Sequence, residues 1–405
     1  MSDARAIAEE TARASYGRLI AYLSARTRDI AAAEDALGEA FAAALTHWPQ
    51  HGVPDAPEAW LLTAARRKII DGARRAQTRR ASEADMLILI EEAEAMARED
   101  RFVDERLKLL FICAHPAIDA TVRTPLMLQT VLGLDAARIA SAFLISPTTM
   151  GQRLVRAKRK IASAGIPFET PALADLGARA AAVLDAIYAA FGAGYDDGAD
   201  ASGADLAREA LFLSRLAAAL LPNNAEAQGL LALMCYIDAR RGARWANGAY
   251  VPLDQQEISL WDQAQIDAGD DALGRAALLM TPGRYQFEAA IQSAHISGRL
   301  SGEDTASAVI SLYDRLIAIA PSIGAEIGRA AALVNAGRPG DAVTALDAID
   351  ERRITAHQPY WATRAHALAA LGDKTEAREA FERAIGLSTD ASTRAFLNEG
   401  MRDLN

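Results

Sequence analysis

An all-α fold is what this sequence predicts, and three observations carry the prediction. Alanine and leucine dominate a chain that is 51% hydrophobic but only 6% aromatic, a composition that favours helix on intrinsic propensity. β-Branched runs of the kind strands need are nearly absent. Apolar residues recur instead at three- and four-residue intervals through most of the 405 residues, as they do along one face of a helix. A chain of this length exceeds the usual single core, so at least two domains are expected.

Taken in order, residues 5–45 carry alanine-rich amphipathic patterns. In "DIAAAEDALGEAFAAAL", Ile30, Ala33, Leu37, Phe41 and Leu45 line one face. "THWPQHGVPDAP" then reads as a loop broken by Pro49, Gly52, Pro54 and Pro57. Asp55 and Glu58 have capping-box spacing before a helical "WLLTAARRKIIDGARR". Residues 1–80 thus form a first small domain, and 81–103 an acidic connector interrupted by "MLILI". A second small domain spans 104–165, and "IPFETP" at 166–171 breaks the helical pattern with two prolines. From 171 to 405 the chain is again helix-patterned and ends in a repeat. "NAGRPGDAVTALDAI" and "ALGDKTEAREAFERAI" align at a 35-residue offset, Ala342 with Ala377, Ala345 with Ala380, Leu346 with Phe381. That period is the signature of tetratricopeptide-like helical hairpins.

Charge narrows the function classes. The net charge is −10, yet residues 1–170 hold 23 Lys and Arg against 22 Asp and Glu, whereas residues 171–405 hold 20 against 31. Cations cluster at Arg66–Arg80 and Arg153–Lys160, marking two polyanion-contact surfaces that the global charge hides. The N-terminus has no apolar leader and no 18-residue apolar run occurs, so a cytoplasmic protein without a membrane partner is expected. Cys113 and Cys235 lack paired spacing and read as buried reduced thiols. Cys113 and His115 lie two apart on a mostly apolar helix, which favours packing over catalysis, and His47 and His51 are expected in solvent. With no phosphate-cradling glycine loop or carboxylate metal motif, neither an enzyme nor a cofactor or metal is expected.

The second basic cluster sits in "SPTTMGQRLVRAKRKI". Ser146 can cap a helix whose first position is Pro147. Met150, Leu154, Ala157 and Ile161 share one face, and Arg153, Arg156 and Lys160 another. "GLDAARIASAFLIS" supplies a shorter helix just upstream, with Ile139, Ala140 and Phe143 apolar. This is a helix-turn-helix pattern, in which the second helix enters the major groove. Thr148, Thr149 and Gln152 would face bases, Arg153 bases or phosphates, and Arg156, Lys158, Arg159 and Lys160 phosphates.

These segments resemble the extracytoplasmic-function class of bacterial sigma-70-type transcription initiation factors. "GLDAARIASAFLISPTTMGQRLVRAKRKI" looks like region 4, which binds the −35 promoter element. "AAAEDALGEAFAAAL" is similar to region 2.2, which docks on core RNA polymerase, and "AWLLTAARRKIIDGARR" to region 2.4, which meets the −10 element. The long C-terminal part, with "LLALMCYIDAR", "WDQAQI" and "YQFEAAI", resembles the subgroup carrying a tetratricopeptide-like extension. The chain departs from the resemblance at Arg138, where relatives commonly carry Glu, and at Arg66-Arg67, where Arg-Asn is usual.

The resemblance implies two partners, core RNA polymerase and promoter DNA. It assigns Asp35 and Glu39 to the polymerase, Arg66, Arg67, Arg74 and Arg75 to the −10 element, and the Thr46–Pro57 loop to capture of an unstacked base. Trp48 in that loop is either a stacking platform for the base or an anchor of the small domain's core. The extension is expected to regulate or support initiation and to offer a protein or peptide partner a concave surface. The competing expectation is a one-component helix-turn-helix regulator with a helical sensor domain, which leaves the first basic cluster unexplained.

Overall fold

The computed structural model describes residues 2–76, 101–131, 133–143, 145–168, 173–196, 201–246, 249–388 and 391–404. The expected acidic connector falls mostly on 77–100, outside the described residues. Regular structure among the described residues is helical apart from one two-stranded hairpin, as the composition predicts. No helix among them is long and apolar enough to cross a membrane. Packing divides the chain into two units, Met1–Leu220 and Leu221–Asn405.

The first unit opens with three mutually packed helices, α1 (Ser2–Thr27), α2 (Ile30–His51) and α3 (Pro57–Ala76). Arg28 turns the chain at φ 55°, and the Asp29 carboxylate caps α2 by accepting from the Ala31 and Ala32 N–H groups at 2.9 and 3.1 Å. α2 runs further than the sequence pattern predicts. Where a loop was expected from Thr46, the helix continues to His51 with Pro49 inside its last turn. Proline there sacrifices one backbone hydrogen bond, but the extra turn carries Trp48 into the core, and Gly52 at φ 87° closes the end by donating to the Trp48 carbonyl. Glu58 turns to Ser15 and Arg18 of α1, away from the expected capping-box role.

Four helices follow, α4 (Arg101–Cys113), α5 (Ala120–Thr130), α6 (Ala136–Ala142) and α7 (Pro147–Ser163). α4 packs on α1, and α7 packs on α5, α6 and α2. Gly17 sits where α1 meets the turn after α5, and any Cβ there would overlap the Val131 carbonyl oxygen. Ile139 and Ala140 are buried as expected, whereas Phe143 at the end of α6 is exposed. Cys113 is buried against Thr130, its Sγ 3.4 Å from the hydroxyl, and burial pushes its thiol up to about 12. Two further helices, α8 (Leu173–Asp196) and α9 (Ala201–Leu220), pack on each other and on α4, with α8 also on α5. The packing boundary therefore falls at Leu220, not at the proline break, although that break does separate α7 from α8.

The second unit begins with α10 (Ala225–Ala239), capped by the Asn224 side chain. A connection of short 3-10 turns with the hairpin β1 (Trp245–Ala246) and β2 (Ala249–Tyr250) leads to α11 (Gln263–Leu278) and α12 (Arg284–Ser301). The chain continues through α13 (Ala306–Ile319), α14 (Ile323–Asn335), α15 (Pro339–Asp347), α16 (Glu351–Ile354), α17 (Gln358–Leu371), α18 (Lys374–Leu387) and α19 (Ala391–Arg402). Neighbouring helices pair as hairpins, and the repeat positions read from the sequence lie inside: Ala342, Leu346, Ala377, Ala380 and Phe381 are buried and Ala345 is half-buried. Small residues at these points let the paired helices approach. Gly372 at φ 84° makes the tight turn between α17 and α18. β2 packs against α19, with the Tyr250 and Phe396 rings edge to face at 6.3 Å.

Candidate functional site

α7 has the cap its sequence calls for. The Ser146 hydroxyl accepts from the Thr149 N–H at 3.2 Å, and Pro147 occupies the first turn. Met150, Leu154, Ala157 and Ile161 are buried. Thr148, Thr149, Gln152, Arg153, Arg156, Arg159 and Lys160 are exposed. The shorter α6 before it is capped by Asp135, which accepts from Ala137 and Arg138 N–H groups at 2.9 and 2.8 Å. A second helix thus presents hydroxyl, amide and guanidinium groups along one solvent face, with its apolar face held by α5 and α6.

Lys158 is a correction. It was expected on phosphates, yet it points inward, 7% exposed, and its Nζ donates to Glu34 Oε2 of α2 at 2.5 Å. Its position on the helix, one residue past Ala157, puts it at the edge of the buried face. Burial pushes the Glu34 carboxyl above its ordinary value, with Lys158 opposing the shift, and Glu34 Oε1 is buried without a hydrogen-bond partner.

The first basic cluster divides the same way. Arg66 was expected on DNA but is 8% exposed; its Nη2 donates to the Tyr22 hydroxyl at 2.5 Å, with the guanidinium over the Tyr22 ring at 5.2 Å. Its contact with Tyr22 ties α3 to α1 inside the small domain. Arg67 and Lys68 are exposed. The side chains of Arg74 and Arg75, and Arg79 and Arg80 altogether, lie outside the described residues. Trp48, offered above as either a base platform or an anchor, is the anchor: it is 1% exposed and meets Trp60 edge to face at 5.6 Å. His47, exposed beside it, stacks on His51 at 4.1 Å.

Asp35 and Glu39 stand one turn apart on the exposed side of α2, opposite buried Ile30, Ala33, Leu37 and Ala40. Glu39 accepts an ion pair from Lys68 at 2.7 Å, with both side chains at least half exposed. Such a pair is worth at most about 1 kcal/mol and is readily exchanged for another partner.

Sequence reasoning missed a four-charge network. Glu58 of α3 pairs with Arg18 of α1, and Arg106 of α4 pairs with Glu209 of α9. Burial raises the Glu209 carboxyl while Arg106 and then Arg18 lower it, so the two pairs feel each other's fields. These residues are separated by 40 and 103 positions, and no local spacing could have announced them.

Residues 12–80 match sigma-70 region 2, and residues 179–277 match a family of unknown function, DUF6596. A protein of Rhizobium meliloti (strain 1021) described as uncharacterized protein R00370 is 37% identical over 391 residues, 95% of this chain and 91% of that relative. The chain belongs to the sigma-70 family. It is a sigma factor with a C-terminal extension, and region 2, which in this family binds core RNA polymerase, corresponds to α1–α3. Its role is therefore sigma-factor-like, in transcription initiation. Within this sigma factor the second match begins in α8 and ends in α11.

Proposed function

We propose that this sigma factor binds core RNA polymerase through the acidic face of α2 and directs it to promoters that α7 reads at the −35 element. Asp35 and Glu39 meet a basic polymerase surface, exchanging Lys68 for the partner. Thr148, Thr149, Gln152 and Arg153 read base edges, Arg156, Arg159 and Lys160 hold phosphates, and Arg67, with Arg74 and Arg75, meets the −10 element. The observation that carries this reading is the region 2 match joined, in the same chain, to a capped helix whose exposed face is polar and basic.

The arrangement of the first unit is a closed one in this reading. Lys158 ties α7 to α2 one residue from Asp35, and Arg106 with Glu209 ties α4 to α9. A sigma factor spanning two promoter elements needs its two DNA-binding modules apart. Direct packing of α1 on α4 and of α2 on α7 holds them together until the polymerase engages, with the first helices of the extension seated on α4 and α5. Run-off transcription with core RNA polymerase on a randomised promoter pool tests the reading. The full chain is expected to copurify with the polymerase and select a defined promoter class, and failure to associate with the polymerase would refute it.

A further inference from the structure

The connection between α10 and α11 consists of the hairpin and short 3-10 turns, and backbone and side-chain hydrogen bonds anchor it. Val251 N–H donates to the Arg244 carbonyl at 2.8 Å, and Asp262 N–H to the Ala239 carbonyl at 2.9 Å. Gln256, 5% exposed, donates from Nε2 to the Val251 carbonyl at 3.2 Å, and its backbone carbonyl accepts from Arg299 Nη2 of α12 at 3.1 Å. A cavity of about 500 Å3 opens between this connection, the C-terminal half of α12, the start of α13 and the end of α14.

The cavity's polar groups are sorted by depth. His295 and Arg299 line it from α12, half-buried, while Asp254, Glu303 and Asp304 line it as exposed carboxylates. Apolar contact comes from Val309 and Ala332, both buried. Burial and the neighbouring Arg240 hold the His295 imidazole below its ordinary value, so at neutral pH it offers one donor and one acceptor and no charge. Arg299 Nε, on a lining residue, and Gln256 Oε1, in the adjoining connection, are buried without a hydrogen-bond partner. Buried guanidinium and amide groups ordinarily find partners, because leaving them unmade forfeits their hydration for nothing. The volume lies within the range of small-molecule sites, on the order of 300–1,000 Å3.

One guanidinium inside and three carboxylates outside ask for a ligand of the opposite polarity, with an anionic head inward and a cationic group outward. We propose that this cavity binds a small zwitterion of the amino-acid class, its carboxylate on Arg299 and its ammonium toward Asp254, Glu303 and Asp304. The short apolar part of such a ligand lies over Val309 and Ala332. This site is independent of the promoter-binding reading and would stand if that reading failed.

The test is calorimetric titration of the full chain with the common amino acids, each followed by thermal unfolding. The same titrations use the matched amine lacking the carboxylate and the matched acid lacking the ammonium. At least one amino acid is expected to bind saturably and raise the unfolding midpoint, with both matched compounds weaker by about tenfold or more, since each loses one charge-assisted contact. Ala306→Phe fills the cavity from the half-buried first turn of α13 and is expected to abolish the heat while keeping the unfolding midpoint of the unliganded protein. Arg299→Lys, which retains the charge, is expected to weaken binding because an ammonium lacks the planar guanidinium fork that matches a carboxylate. No saturable heat from any amino acid overturns the proposal, and so does an amine that binds as tightly as its parent. Undiminished binding by Ala306→Phe places the ligand elsewhere and overturns it equally.

Discussion

The Lys158 ammonium and the Glu34 carboxylate meet at 2.5 Å with side-chain exposures of 8% and 19%, joining α7 to a region 2 helix. Removing one partner of such a pair leaves the other buried and uncompensated, at a cost of about 3 kcal/mol or more. We predict that Lys158→Glu, which sets two carboxylates face to face, loosens α7 from α2 and increases hydrogen exchange in both. Under the closed-state reading the same change raises run-off transcription. Combining it with Glu34→Lys restores the pair with reversed polarity and should restore both protection and basal output. Lower output from the single variant, unrescued by the double, would count against closure.

Trp48 offers a clean separation of stability from DNA capture. Trp48→Ala should cost about 3–5 kcal/mol of unfolding free energy, as for other large-to-small changes in packed cores, because Trp48 is 1% exposed against Trp60. Trp48→Phe should recover most of that. Promoter opening by the phenylalanine variant, measured by permanganate footprinting, should be near wild type.

Under the proposed reading of α7, its exposed residues divide by their expected effect on specificity. Gln152→Ala and Arg153→Ala should relax sequence preference, each costing about 1–3 kcal/mol at the base pair contacted. Arg156→Ala, Arg159→Ala and Lys160→Ala should instead weaken all promoters alike and reduce the salt slope by about 1 each. Competition binding on the randomised pool at two salt concentrations distinguishes the two classes.

In the second unit His366 lies between Phe381 and Phe396, at 5.1 and 5.9 Å, and burial holds its imidazole below the ordinary value of 6.5. The folded state therefore binds its proton less readily than the unfolded chain. The stability this contributes is complete above the unfolded value and is lost as pH falls through and below it. Protection of α17–α19 from hydrogen exchange, corrected for intrinsic rates, should decline as pH falls below that value. His366→Phe should flatten that decline, and an unchanged slope would assign it to another group.

Much of this was legible before any coordinates. The capped, two-faced α7 follows from Ser146, Pro147 and the spacing of Met150, Leu154, Ala157 and Ile161, because local periodicity alone determines which residues of an amphipathic helix can be buried together. The buried thiol of Cys113 and the inward-facing repeat residues of α15 and α18 were legible for the same reason. Lys158 and Arg66 were not. A long cationic side chain at the edge of an apolar face can reach either way, and what draws it inward is a group far off in sequence, Glu34 for one and the Tyr22 hydroxyl for the other. Pro49 misled for a related reason: a helix breaker yields where the extra turn delivers a tryptophan to the core. The attachment of α8 and α9 to the first unit had no sequence signature at all, because it rests on Arg106, Glu209 and surfaces assembled only by folding.

Tyr250, near the start of the second unit, touches Phe396 of α19, almost 150 residues later. A stack of hairpins joined only to immediate neighbours can be shortened from its end, one pair at a time, with a proportionate loss of stability. Contact between the early hairpin and the last helix removes that freedom. Deleting α19 would strip a partner from the connection that precedes α11, so damage at the carboxyl end would be felt at the opposite end of the array.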